Sequence, residues 1–238
     1  MPGAYYNEND GYAADWLENL IADGHIASGI VDRRSIADVE PRDVRDFDQC
    51  HFFAGAGGWS YALRIAGWDD SRAAWTGSCP CQPFSATGRR RGFADKRHLW
   101  PHWFRLIREC RPSTIFGEQV AGAGQWIDQV FSDLESMGYA CGAADLPAAC
   151  AGSPQARQRL WFVADASRRW RQSGAGLCKN WSEPNRDQLA YRAWWDAEPD
   201  VARVADGIPG AVDQRRVFGN AIVPQVAAEF VRAFSECR

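Results

Sequence analysis

The chain has 238 residues, 46% of them hydrophobic and 24% charged, a balance typical of globular proteins and unlike that of disordered or fibrous ones. A chain of this length can bury roughly 70–75% of its unfolded surface without a metal or disulfide staple. No apolar run approaches the ~20 residues of a membrane span, and the first residues lack the features of a signal peptide. We therefore expect a cytoplasmic protein with no membrane contact.

The formal net charge of −3 does not indicate a nucleic-acid binder, although phosphate binding needs only a local basic face. The eight cysteines include no CxxC pair. We expect free thiols in a reducing compartment and no zinc site.

Short apolar runs alternate with helical patterns, which predicts an α/β domain with a largely parallel sheet. The clearest strand, residues 50–53, leads into a glycine loop at 54–58 and a helix over 59–66. Further strands are predicted at 73–76, 113–116 and 160–164, and further helices at 98–110, 126–137 and 225–234. Residues 167–206 lack sustained periodicity, and we expect a small irregular region there, inserted into a domain made of residues 1–166 and 207–238.

Several segments at predicted strand ends could carry chemistry. The glycine loop suits the close approach of a nucleotide-like cofactor, although purely structural glycine turns are common. Cys81 lies after a predicted strand, in a loop that leads towards a helix. Nearby backbone N–H groups can lower the pKa of a thiol there; the alternative is a buried structural cysteine.

Two more segments lead to the same crevice. Glu118 ends another strand and would project into it, unless it is a helix-capping or surface carboxylate. Alternation along 155–159 puts Gln155, Arg157 and Arg159 on one side of a strand; an exposed edge is the alternative. The loop at 219–224 could equally be an ordinary turn before a helix.

Together these segments resemble the DNA (cytosine-5) methyltransferase family. Its motifs FxGxGG, PCQ, ENV, QxRxR and GN(A/S)VP are matched here in family order at 53–58, 80–82, 118–120, 155–159 and 219–224. The resemblance implies a Rossmann-like fold that binds S-adenosylmethionine and methylates C5 of cytosine in DNA. Cys81 would add to C6 of a base flipped out of the duplex, Glu118 would relieve the charge at N3, and Arg159 would hold O2.

The resemblance also assigns binding residues. For the cofactor these are Phe53, Gly55, Gly57, Gly58, Pro80 and Asn220. Candidate DNA contacts are Gln82, Ser85, Arg157, Arg89, Arg168, Arg169 and Arg171; the arginine clusters among them are otherwise solvated surface runs. The family implies DNA as partner and a restriction-modification setting with a cognate endonuclease, and we expect a monomer. The short region at 167–206 predicts a short or relaxed target sequence.

One departure from the family lies ahead of the glycine loop. Only residues 59–78 separate the glycine and cysteine loops, too few for the family's second and third strands, since one βαβ unit takes about 30 residues. The segment around Glu8 resembles the acidic end of the second strand, and residues 34–39 resemble the third. We therefore predict a permuted order in which these two strands come first. Glu8 would then bind the ribose and Ile36 would flank the adenine.

The alternative is that residues 1–49 are a packing extension. Two positions differ from the family pattern: Ser35 replaces an aspartate near the adenine, and Gln119 replaces the asparagine of ENV. The first leaves the adenine contacts open, and the second could alter how the cysteine loop is held.

Two other functions remain open. A catalytically silent member could bind DNA or cofactor, which the short recognition region and acidic pI allow but the presence of Cys81, Glu118, Arg159 and Asn220 disfavours. An enzyme acting on free pyrimidine nucleotides could use the same thiol addition, but the QxRxR and GNAIVP segments resemble those of DNA enzymes.

Overall fold

The computed structural model describes residues 3–80, 99–153, 157–167, 217 and 221–237. The strands in this part of the chain are β1 (Ala4–Asn7), β2 (Gly29–Asp32), β3 (Gln49–Phe52), β4 (Ala74–Gly77), β5 (Thr114–Val120), β6 (Ala140–Pro147) and β7 (Gln158–Asp165). They form one sheet in the order β2-β1-β3-β4-β5-β7-β6. The first five strands pair in parallel, while β7 runs antiparallel to both neighbours. The predicted α/β fold with a mostly parallel sheet is confirmed.

The chain order of the strands confirms the predicted permutation. The strand that leads into the glycine loop, β3, lies between β1 and β4, although β1 and β2 both precede it in the chain. In a parallel sheet the strand ends meet at one edge whatever their order in the chain, so a site built from those ends survives the rearrangement.

The position predicted for the third strand was wrong. Residues 34–39 do not form a strand; β2 occupies Gly29–Asp32, and Ile36–Asp38 form a 3-10 turn. The Ser35 hydroxyl accepts a hydrogen bond from the Ala37 N–H, the local side-chain-to-backbone bond that competes with strand pairing.

Helices cover both faces of the sheet. They are α1 (Gly11–Ala22), α2 (Pro41–Val44), α3 (Gly58–Ile65), α4 (Trp100–Cys110), α5 (Gly124–Ser136) and α6 (Pro224–Glu236). Alternation along the strands sends Ile115 and Phe162 towards α4 and α5, and Phe116 and Trp161 towards α3 and α6. None of the helices in the described ranges is long and apolar enough to cross a bilayer.

Two facing glycines let large rings pack against the ends of the central strands. Gly77 and Gly117 pair in register across β4 and β5. A Cβ at Gly77 would lie 2.6 Å from the ring of Trp103, and one at Gly117 would lie 2.2 Å from the ring of Phe162. Because any larger side chain would collide with these buried rings, the two glycines fix the strand ends from which the next residues enter the site.

Candidate active site

The carboxyl ends of the parallel strands open onto a cavity of about 320 Å³. This is the edge at which α/β sheets place their ligands. Its wall includes Glu8 after β1, the glycine loop after β3, residues 78–80 after β4, Glu118 in β5 and Arg159 in β7. Residues from the predicted cofactor site and from the predicted catalytic site therefore share one cavity.

The glycine loop depends on backbone conformations that favour glycine. Gly55 has φ of +53° and Gly57 has φ of +78°, both left-handed. Gly57 caps α3 without a side-chain hydrogen bond, so the first N–H groups of α3 are available to a ligand. Phe53 shares the left-handed conformation at φ +53°, which places a strained non-glycine residue beside the cavity. A Cβ at Gly58 would lie 2.7 Å from Ile222 Cγ1, so close packing also requires glycine there.

Glu8 connects the first strand to the glycine loop. The Gly55 N–H donates to its Oε2 over 2.8 Å, and the Asp10 N–H donates to its Oε1 over 2.8 Å. Asp10 in turn caps α1 by accepting a hydrogen bond from the Ala13 N–H. Each Glu8 oxygen retains a further acceptor position, so the carboxylate can also take hydroxyl donors from a ligand.

Ile36 stays a prediction as the residue that flanks the adenine. It is 3% exposed and packs in the hydrophobic core rather than on the cavity wall. The adjacent Ser35 is used in capping the 3-10 turn.

Glu118 and Arg159 form an ion pair at the cavity, with 2.9 Å between Arg159 Nε and Glu118 Oε1. Since β7 is antiparallel to β5, the beginning of β7 lies at the end of β5, with Val120 opposite Arg159. Glu118 is 7% exposed, and burial raises the pKa of its carboxyl group, while Arg159, the Ser78 hydroxyl and Arg157 act to lower it. Burial outweighs the neighbouring donors, so this carboxyl group holds its proton more tightly than an ordinary glutamate.

Gln119 holds the end of β4. Its Nε2 donates to the Cys79 carbonyl oxygen over 3.5 Å, and its Oε1 accepts a hydrogen bond from the Val120 N–H over 3.0 Å. The residue that replaces the family asparagine thus reaches the backbone two residues before Cys81. Cys81 itself lies outside the described residues. In the chain it directly follows Pro80, and Pro80 lines the cavity.

Arg157, predicted to contact DNA, holds another part of the site. Its Nη2 donates to the Ala221 carbonyl oxygen over 2.6 Å, connecting the segment before β7 to the loop before α6. The remaining predicted site residues lie outside the described ranges: Cys81, Gln82, Ser85, Arg89, Arg168, Arg169, Arg171 and Asn220.

Several residues of the cavity wall were not predicted as site residues, among them Asp10, Ser78 and Trp59. Asp10 and Ser78 line the cavity, and Trp59 lies between α3 and the sheet with its indole N–H on the Ser78 hydroxyl. Asp10 had a detectable signal, because an aspartate before a helical pattern is a typical N-cap. Ser78 and Trp59 had none, since their contact joins segments that only the folded sheet brings together.

Comparison with known proteins identifies the family. The model of C-5 cytosine-specific DNA methylases matches residues 69–190, just over half of the chain. The chain belongs to the C-5 cytosine-specific DNA methylase family. The predicted resemblance is thereby confirmed.

Curated relatives of this methylase-family chain are type II methyltransferases. M.NaeI of Lentzea aerocolonigenes is 28% identical over 170 residues, covering 67% of this chain and 40% of the relative. M.AplI of Arthrospira platensis is 27% identical over 188 residues, covering 63% and 51%. M.HhaI of Haemophilus parahaemolyticus is 32% identical over 90 residues, covering 35% and 28%. The chain spans about half the length of these relatives or less.

Proposed function

We propose that this chain transfers a methyl group from S-adenosylmethionine to C5 of cytosine in DNA. One observation carries the proposal: a single cavity is lined by a glycine loop with a carboxylate beside it and by the Glu118–Arg159 pair. Pro80 lines the same cavity, and Cys81 is the next residue in the sequence.

The residues present fit this cofactor. Gly55 and Gly57 curve the loop around the space, the uncapped N-terminus of α3 offers N–H donors to a carboxylate, and Glu8 can accept from two ribose hydroxyls. Bound there, S-adenosylmethionine would supply an electrophilic methyl group on a sulfonium centre.

In this proposal the chain's own residues make C5 nucleophilic. The Cys81 thiolate forms a bond to C6, and the electron pair of the C5–C6 double bond moves into the ring towards N3. Glu118 donates its proton to N3 and so neutralises that charge, while Arg159 donates to O2. Once C5 carries the methyl group, a base removes the C5 proton and that electron pair forms the C5–C6 double bond again. The S–C6 bond breaks to release Cys81 as a thiolate, and N3 returns its proton to Glu118.

The properties of the ion pair support this division of roles. Burial raises the pKa of Glu118, and a carboxyl group that keeps its proton can donate it to a ring nitrogen. If Arg159 turned from Glu118 to O2 of a bound base, the carboxylate would lose its nearest cation and bind a proton more tightly. The movement of Arg159 would thus hold the target base and also raise the proton affinity of Glu118.

DNA is the proposed substrate, and the target base must leave the duplex at a cost of a few kcal/mol. We propose residues 167–206 as the target-recognition region beside a catalytic domain formed by 1–166 and 207–238. Three of its arginines, Arg168, Arg169 and Arg171, are proposed phosphate contacts together with Arg89. A monomer in a restriction-modification setting with a cognate endonuclease completes the proposal.

The experiment is bisulfite sequencing of DNA from cells expressing the wild type, Cys81→Ser or Cys150→Ser. Cys150 is an exposed thiol and serves as the matched control. We expect methylated cytosines with the wild type and the control, and none with Cys81→Ser. Equal methylation by Cys81→Ser would refute the nucleophile, and methylation by none of the three would favour the silent binding module.

A further inference from the structure

Ser78 lies beside Glu118 at the ends of neighbouring strands. The last residues paired between β4 and β5 are Gly77 and Gly117, so Ser78 and Glu118 are the next residues on the two strands. Adjacent residues of parallel strands at the same step direct their side chains to the same face. Both line the cavity, and the Ser78 hydroxyl group is close enough to lower the pKa of the Glu118 carboxyl group.

Trp59 limits how the Ser78 hydroxyl group can bond. Its indole Nε1 lies 3.1 Å from Ser78 Oγ, and an indole N–H can only donate. The Ser78 oxygen therefore accepts from Trp59, and its own hydrogen is left for Glu118. Trp59 is 4% exposed and held by stacking on Phe116 and an edge contact with Trp161, so this donor is fixed.

We propose that Ser78 is a positioning residue for Glu118: its hydroxyl group donates to the carboxyl group and holds it facing the target base. The inference rests on the proposed function, because Glu118 must act on a base for its orientation to matter. Ser78 works through Glu118 and contacts no reacting atom.

The other groups that face Glu118 explain why this donor is needed. The cations Arg159 and Arg157 act on the carboxyl group from β7 and from the segment before it. Arg159 is the donor that the proposed reaction draws away to the base. Ser78, fixed by Trp59, then remains on the carboxyl group and keeps its orientation.

The test is a carboxyl ¹³C NMR titration of the full chain, with the Glu118 signal assigned by its loss in Glu118→Gln. A hydroxyl donor favours the charged carboxylate, so Ser78→Ala should shift the Glu118 titration to higher pH. Ser78→Thr keeps the hydroxyl group and should restore the wild-type titration. Trp59→Phe keeps the aromatic packing but removes the N–H; it should shift the titration in the same direction by a smaller amount.

The methylation pH profile of the same variants separates the two proposals. With an active wild type, we expect the profile of Ser78→Ala to move in the same direction as the NMR titration. An active wild type with an unmoved titration in Ser78→Ala would overturn the role of Ser78 and leave the proposed function intact. An inactive wild type would overturn the proposed function and with it the positioning role of Ser78, even if the titration shifts.

Discussion

Gly117→Ala tests the packing that fixes the strand ends beneath the site. The added Cβ would lie 2.2 Å from two ring atoms of Phe162, whereas carbon atoms pack best at about 3.5–4.0 Å. The ring has to retreat by more than ~1 Å, yet it is fully buried, with Trp126 and Phe131 against it. We expect a loss of about 1–3 kcal/mol in the free energy of unfolding, the range for overpacked cores.

Urea unfolding followed by tryptophan fluorescence measures this loss. With a slope of about 2 kcal/mol/M, a loss of about 2 kcal/mol lowers the midpoint by about 1 M. Gly124→Ala is the matched control, because a Cβ there meets nothing within 4 Å and replacing a helical glycine should stabilise by up to about 1 kcal/mol. Phe162→Leu added to Gly117→Ala should be less costly than the sum of the two changes. A Gly117→Ala protein within about 0.5 kcal/mol of wild type would refute the reasoning.

Two further predictions concern the carboxyl groups at the cavity. Glu8→Gln should weaken S-adenosylmethionine binding by about tenfold in calorimetry, because a charged acceptor for two hydroxyl donors is lost. The control Glu18→Gln, at an exposed ion pair with Arg33, should bind the cofactor as wild type does. Equal cofactor affinities of Glu8→Gln and wild type would contradict the ribose role. Burial raises the pKa of Glu118 in the folded state, so its stabilising contribution is fully present below the unfolded value and decreases as pH rises through the folded one. The free energy of unfolding of wild type relative to Glu118→Gln should therefore fall as the pH rises above the ordinary glutamate value of about 4.3; a difference that rises with pH would contradict the burial argument.

The central elements of the fold could be predicted because their sequences alternate or repeat against a buried face. β3, β4 and the helices α3 to α6 agree with the predicted bounds within a few residues. The edge strands β2 and β6 were missed for a physical reason: both are only partly buried, and β6 is rich in alanine and glycine, which have low strand propensity. The hydrophobic signal that identifies a central strand is therefore weak at the edges of the sheet.

The site was predictable to a similar degree. Sequence motifs brought Glu118 and Arg159 to one crevice, and the structure pairs them directly. The bond from Gly55 to Glu8 joins two segments 47 residues apart, and no local pattern contains such a contact. The segment around Ile36 was predicted as a strand but forms a 3-10 turn, because the position of β2 was ambiguous in the sequence.

The reversed direction of β7 has a consequence for how such chains can diverge. Arg159 is placed by a ladder of seven residue pairs with β5, not by a loop. One residue inserted within that ladder would turn the guanidinium group to the opposite side of the sheet. Insertions after Asp165 leave the ladder untouched, so the length of the following segment is free to vary. Under the proposed function, selection for new DNA target sequences can then act on that segment without changing the position of Arg159.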